Sequence, residues 1–354
     1  MRFGAKTSSS SNGWSGERLS LDAVRQLSDV KGAIRREIHR IGKALQIALP
    51  RPRIAFSRSS PHMYDCLISR NWLGYEIDFL GADPADVSNL HRTANFLHFL
   101  ASCPRSVRSI LVNISDGNFQ SAARFAMAVR HPDVIALPDN YFFNTAGFIA
   151  FRRQTEMNPV AWDARSSILR WRGGTSGDYR IDPIGPGSRD DSQVLPRIRM
   201  ALILKGHPGC DVGFAGKLIP ENARLILREA GLESDFIPEG DWINDKFALD
   251  IDGYANTWSN FLVRLHLGCC VIKVDSQHGF RQWYYDRIRP WEHFVPVKAD
   301  MSDLVEKVEW ARSHDAEAKV IAANGQAFAR SMTFESEMDW AVAAICATQG
   351  VSRI

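Results

Sequence analysis

Residues 110–137, ILVNISDGNFQSAARFAMAVRHPDVIAL, decide the fold class. Ile110-Leu111-Val112-Asn113-Ile114 is a short apolar run rich in β-branched residues and reads as a buried strand. Asp116-Gly117-Asn118 follows with turn chemistry. Phe119 to Val129 spaces its apolar residues as an amphipathic helix does, and Val134-Ile135-Ala136-Leu137 reads as the next strand. Strand, helix and strand within ~30 residues predict a right-handed parallel crossover, and hence an α/β fold.

Upstream of this unit, residues 1–20 contain Ser8 to Ser11, Asn12 and Gly13 and read as a flexible polar segment. Leu21 to Leu49 has helical spacing with many basic residues, and Arg53 to Ser57 is a strand candidate. Asp86 to Ala101 is helical by period, with Leu90, Ala94, Leu97 and Leu100 on one side. Downstream, the pattern breaks around Asn158 to Asp163. A second series then begins with a strand at Ser167 to Arg172. A helix at Glu221 to Ala230, a strand at Phe247 to Ile251 and a helix at Trp258 to Leu267 follow. Strands at Val271 to Val274 and Phe294 to Val297 come next. Ser302 to Met332 is strongly helical, with Asp300 or Ser302 as candidate N-cap. The alternation predicts two open α/β sheets. The expected division is 1–20 disordered, 21–160 a first α/β domain and 161–332 a second. Residues 333–354 would form a helix packing back on the first.

The 354 residues are 45% hydrophobic and 23% charged, a globular composition with room for two domains. With 43 basic and 40 acidic side chains the net charge is only +3, which gives no case for nucleic acid as a partner. Local basic clusters stand out at Arg35-Arg36 with His39-Arg40, and from Arg51 to Arg58. They are either a solvated face or a point of peripheral attraction to an anionic membrane or glycan. The six cysteines form no C-x-x-C pair and fit a reducing compartment. There is no apolar signal core at the N-terminus and no run near ~20 apolar residues, so cytoplasmic residence is expected.

Three segments can carry chemistry. Arg172-Gly173-Gly174-Thr175-Ser176-Gly177 follows a strand, and small residues there let backbone N–H groups approach a phosphate. Arg172 and Arg180 would add bidentate charge to a diphosphate. It is neither a Walker loop nor a G-x-G-x-x-G fingerprint; without other support it is a tight surface turn. Lys246 to Asn260, KFALDIDGYANTWSN, ends a strand in Asp252-Gly253 and opens a helix through Asn256, Thr257 and Ser259, where a diphosphate meets a helix N-terminus. The same residues also serve as an ordinary capped turn. Lys273-Val274-Asp275-Ser276, Trp283-Tyr284-Tyr285 and Pro290 to Val297 set aromatic faces beside carboxylates, which suits sugar or base stacking, or simply a core.

Taken together, RWRGGTSG, KFALDIDGYANTWSN, VIKVDS, PWEHFVPV and DLVEKVEWARSHD, in this order and spacing, resemble glycosyltransferase family 90 over about Arg170 to Met332. Upstream the likeness rests on the strand–helix–strand unit and Pro138-Asp139-Asn140-Tyr141-Phe142, and the bacterial members are resembled most. The resemblance implies a GT-B fold, two Rossmann-like lobes with the active site between them. It also implies inverting transfer of a hexose or pentose from a UDP-sugar to a hydroxyl of a glycan or lipid-linked glycan. Lipopolysaccharide core and capsule are the glycans in question, and no cofactor or metal is implied. By motif, Gly174 and Arg180 would lie at the donor phosphates. Lys246, Asp252 and the turn Ala255 to Ser259 would complete the pocket, with Gly173, Thr175, Ser176, Gly253, Lys273, Asp275, Glu292 and His293 around it. The protein O-glucosyltransferases carry an arginine near the place of Ser259. Here phosphate neutralisation would fall to Arg172, Arg180, Lys246 or Lys273.

An inverting transfer needs one base, from the lobe facing the donor. Asp139 after the Val134–Leu137 strand is the first candidate by family spacing, and Asp116 after the preceding strand is the second; each is otherwise a turn-forming Asp. Asp250 and Asp252 share one strand face, and would hold a divalent ion in a metal-dependent variant of the reaction. Two other readings compete: a non-catalytic sugar- or nucleotide-binding protein with the same lobes, and a nucleotide-dependent oxidoreductase. The missing G-x-G-x-x-G argues against the last.

Overall fold

The computed structural model describes residues 21–57, 59–81, 92–117 and 120–351. Residues 1–20 and 352–354, and the start of the helix expected from Asp86, lie outside them. The chain is mixed α/β, built on two sheets.

The first sheet has the order β1-β3-β2-β4-β5-β6. Its strands are β1 (Arg53–Phe56), β2 (Asp65–Asn71), β3 (Gly74–Phe79), β4 (Ser109–Asn113), β5 (Phe125–Ala126) and β6 (Ile135–Ala136). β4, β5 and β6 are parallel, but β2 runs antiparallel to both β3 and β4, so the sheet is mixed. The β2–β3 hairpin was not foreseen, because Asn71-Trp72-Leu73-Gly74 puts two large apolar residues where turn chemistry is expected.

The helix expected over Phe119 to Val129 does not form in its described part. Residues 120–124 are irregular and the chain then enters β5. The Ser121 hydroxyl and the Ala122 N–H both donate to the Asp65 carboxylate, and the Ala123 N–H donates to Ser121 Oγ. These local side-chain acceptors take the bonds a helix would need. Residues 125–129 are then buried one after another, as in a strand covered on both faces. The described part of the crossover between β4 and β5 is thus a loop.

The second sheet is wholly parallel, in the order β11-β10-β9-β7-β8. Its strands are β7 (Ser166–Gly173), β8 (Cys210–Phe214), β9 (Asp245–Asp250), β10 (Cys270–Val274) and β11 (Val295–Val297). Every residue of β9 and β10 is buried, as expected for central parallel strands. Because all five strands point one way, their carboxyl ends form a single edge, and ligands of such sheets bind there.

The helices cover these sheets. α1 (Leu21–Leu45) buries Ile34, Ile38 and Ile41, and α2 (Thr93–Ser102) is buried along most of its length. α3 (Asn140–Asn144) and α4 (Ile149–Met157) lead to the second sheet. α5 (Pro196–Leu204), α6 (Glu221–Glu229) and α7 (Ser259–His266) sit among its strands. The long helix expected from Ser302 to Met332 is two, α8 (Leu304–Ser313) and α9 (Asp315–Ser331), broken at His314. α10 (Phe334–Thr348) starts with a Thr333–Ser336 capping box and returns to α2, and Gln349 just after it donates from Nε2 to Ser109 O of β4 at 2.8 Å. One apolar core runs from Ile68 and Val112 of the first sheet to Phe261 and Leu265 of α7, so the sheets meet through packed side chains. Among the described residues, no helix is long and apolar enough to cross a membrane.

Candidate active site

A cleft of about 740 Å³ opens between the sheets. One wall is made at the carboxyl ends of β7, β8 and β9, and Arg92, Asp116 and Tyr141 face it from the first sheet.

β7 runs into the glycine turn. A Cβ on Gly173 would strike the Trp171 ring at 2.5 Å, and one on Gly177, at φ 142°, would strike Leu195. Both glycines are thus demanded by packing and backbone. Gly174 differs, since a Cβ there meets nothing within 4 Å. The amides of Gly174, Thr175 and Ser176 donate to no acceptor among the described residues. Arg197 Nη1 holds the turn from behind through Gly174 O at 3.1 Å and Ser176 Oγ at 2.8 Å. Its Nε and Nη2 reach Asp252 O and Ile251 O, so one buried guanidinium ties the two loops together.

Next to the turn, the segment after β9 enters α7 through Asn256, Thr257 and Trp258, all on the cleft wall with Ser259. Trp258 takes φ 51°, ψ −115°, a strained backbone for a non-glycine residue, and makes no side-chain cap. At the start of α7 the Ser259 N–H has no acceptor among the described residues, while Asn260 N donates to Thr257 O at 3.1 Å, so one amide at the positive end of the helix is open to an anion. Asn256 Oδ1 accepts from Trp258 N at 2.9 Å, while its buried Nδ2 has no partner. The loop is anchored below: Thr257 Oγ1 donates to Asp250 Oδ2 at 3.1 Å and Lys273 Nζ to the same oxygen at 2.7 Å. Lys273 also lies 3.8 Å from Asp252, so an ammonium stands between the two carboxylates proposed for a divalent ion. Burial alone would lower the Lys273 pKa, but the Asp250 and Asp252 charges outweigh it and hold it above its ordinary value. Burial pushes the Asp252 carboxyl up to about 6.

Across the cleft, Arg92 is buried, pairs with the Asp116 carboxylate, and lies over the Trp258 ring at 5.0 Å. Tyr141 approaches the same ring at 5.9 Å. A smaller recess of about 320 Å³ shares Asp116 and Tyr254 with the cleft and is lined by Gln120, Arg130, Asp178, His278 and Phe280.

The site expectations divide accordingly. Gly174, Thr175, Ser176, Asn256, Thr257, Ser259 and Asp116 share the cleft. Gly253 borders the recess, and Asp252, Lys273 and Ala255 are buried, off the cleft wall. The rest lie away from the cleft wall. Asp139 is not on the wall: it caps α3 by accepting from Phe142 N at 2.8 Å, and Gln282 Nε2 donates to its other oxygen at 2.7 Å. Burial raises its pKa to about 6. Arg172 spends its guanidinium on the Asp211 carboxylate and the carbonyls of Trp171, Asp211 and Asp235. Arg180 pairs with Asp191 at 2.5 Å, and it and Asp275 lie off the cleft. Lys246, paired with Asp315 at 2.8 Å, is the second residue of β9, and Glu292 and His293 precede β11. In a parallel sheet those positions are at the amino ends, opposite the cleft.

None of the four cations assigned to the phosphates lines the cleft; Arg197, Lys217 and Arg92 do. Arg197 lies in α5, which the hydrophobic pattern did not reveal, although Pro196 at its first turn is a start signal.

Residues 218–342 match the family model Glycosyl transferase family 90. The family 90 segment begins after the glycine turn, contains the Asp252–Ser259 loop and ends in α10. Protein O-glucosyltransferase 3 of Rattus norvegicus is 34% identical over 137 residues, 38% of this chain and 26% of that protein. Protein O-glucosyltransferase 2 of Danio rerio is 39% identical over 92 residues, 26% of this chain and 18% of that protein. Uncharacterized protein 035R of Invertebrate iridescent virus 3 is 40% identical over 88 residues, 24% of this chain and 8% of the viral protein. The matched stretch thus spans about a quarter or less of these relatives. A solved structure, that of the GtfA/B complex, aligns over 52% of this chain and 37% of its own at a TM-score of 0.33 and 13% identity.

Proposed function

We propose that the chain is an inverting glycosyltransferase of GT-B architecture that moves a hexose or pentose from a UDP-sugar to a hydroxyl of a glycan. The glycan class is the lipopolysaccharide-core or capsule kind that the motifs imply, met in the cytoplasm. The observation carrying this reading is the juxtaposition of amides without acceptors among the described residues, at Gly174–Ser176 and at Ser259 of α7, with Asp116 across one cleft.

The diphosphate lies between the glycine turn and α7, where amides and the helix dipole stabilise the charge that grows as the glycosidic bond breaks. Lys217, which pairs with no carboxylate among the described residues, and Arg197 add positive charge. The acceptor enters through the smaller recess, whose Phe280 ring, His278 and planar polar groups suit a sugar. Asp116, common to both spaces, removes the acceptor proton as its oxygen attacks the anomeric carbon from the side opposite the diphosphate. Arg92 orients Asp116 and, through its stacking on Trp258, ties the base to the donor loop. The proton goes to the carboxylate and the electron pair of the broken bond to the diphosphate.

A thermal-shift panel of nucleotide sugars tests the reading. A UDP-sugar should raise the melting point by mass action, and a donor that binds should be turned over with release of UDP. Binding without UDP release under any acceptor would support the non-catalytic alternative.

A further inference from the structure

The β2–β3 hairpin ends in a tip that the catalytic reading does not use. Trp72 and Leu73, side by side, are 89% and 74% exposed. Two adjacent large apolar side chains held out into water at a loop tip mark a contact surface. The tip is rigidly mounted. Leu73 N donates to Asn71 Oδ1 at 2.8 Å, and Arg70, just before it, donates to the carbonyls of Leu100, Cys103, Pro104 and Val107.

The surroundings of the tip are basic. The Arg70 N–H donates to Arg108 O at 2.9 Å, which brings exposed Arg105 and Arg108 beside the hairpin. β1 runs parallel to β3 with Arg53 opposite Glu76, so exposed Arg51, two residues earlier, enters level with Gly74. Glu76, the acid of this β3 end, is already taken by Arg53 at 2.8 Å. Arg51, Arg105 and Arg108 pair with no carboxylate among the described residues.

We infer that this hairpin tip docks the protein on an anionic lipid surface, with Trp72 and Leu73 entering the interfacial layer and the surrounding arginines meeting lipid phosphates. Trp favours that layer because its ring is apolar and its N–H stays wet. An apolar wedge plus a basic rim gives the two signals that stable peripheral binding takes. A protein partner fits less well. Two side chains make a small apolar patch, whereas a stable interface covers about 800 Å² per partner. The tip lies at the amino end of β4, and Asp116 follows its carboxyl end, so docking leaves the cleft roughly 17 Å or more from the surface, five residues at ~3.3 Å each, and open.

The test is co-sedimentation of the full chain with vesicles of phosphatidylcholine alone and of phosphatidylcholine with phosphatidylglycerol, at low and high salt. Wild type should sediment with the anionic vesicles and be released by salt. Trp72→Ser with Leu73→Ser should weaken this by roughly tenfold or more, and Arg105→Glu with Arg108→Glu should abolish the preference for anionic lipid. Both double variants should keep the wild-type melting point, because none of the four side chains is buried. Failure of wild type to bind anionic vesicles, or binding unchanged in the tip variant, would overturn the inference. So would a dimer in sedimentation equilibrium that the tip variant loses, which would assign the tip to a second copy.

Discussion

Replacing Asp116 by Asn separates base chemistry from architecture. The amide keeps an oxygen for the Arg92 guanidinium but cannot take a proton. Since a positioned general base is worth about 10²–10⁴ in rate, turnover should fall by that factor, or about 3–5 kcal/mol of barrier. The fold should barely notice. The Asp116 side chain is 39% exposed, so its pair with Arg92 is screened, and the remaining hydrogen bonds limit the loss to about 1 kcal/mol. The assay is release of UDP under single turnover from whichever UDP-sugar most stabilises wild type, with UDP binding followed by thermal shift. Unchanged UDP binding with slow transfer is expected. Asp139→Asn serves as the control and should transfer within a few-fold of wild type, because its carboxylate is occupied by Phe142 N and Gln282. If Asp116→Asn retains full turnover while Asp139→Asn loses it, the assignment of the base is wrong.

Three further outcomes follow from the same contacts. Gly174→Leu should fold normally, since a Cβ there has open space, yet weaken UDP binding by at least about tenfold by filling the cleft; calorimetric titration reads this directly. Lys273→Met leaves Asp250 and Asp252 buried without their cation and should destabilise the protein by about 3–5 kcal/mol, measured as a drop in urea midpoint. Burial raises the Asp139 pKa from 3.8 to about 6, so its contribution to stability is full below about pH 4 and is lost as pH rises through 6. The fall of unfolding free energy between pH 4 and 7 should therefore be smaller in Asp139→Asn, by up to about 3 kcal/mol.

What the sequence made legible follows from how far each signal is local. β4, β9, β10 and β11 are built on short apolar runs, and buried parallel strands announce themselves that way, whereas β7 interleaves Ile168, Leu169 and Trp171 with Arg170 and Arg172. The glycine turn and the Asn256–Ser259 loop are short motifs whose place at strand ends follows from the strands. The β5 segment was misread because Phe125, Met127 and Val129 satisfy either period, and the bonds to Asp65 that decide it come from 57 residues away or nearly so. The cations of these motifs lie off the cleft for a related reason. Arg172, Lys246 and Arg180 lie in the right motifs, yet each is claimed by an aspartate distant in sequence or on a neighbouring loop. Arg197 was missed because its value lies in four backbone and hydroxyl acceptors that only the folded loops bring together. Asp139 and Asp116 are equivalent as aspartates after successive strands, and only burial distinguishes a helix cap from a group facing the cleft.

A crystal of the protein soaked with UDP tests the central claim most directly. The diphosphate is expected against the amides of Gly174–Ser176 and the first turn of α7, with Asp116 facing the space beyond it. A nucleotide bound elsewhere, with the groove between the two sheets empty, would contradict it.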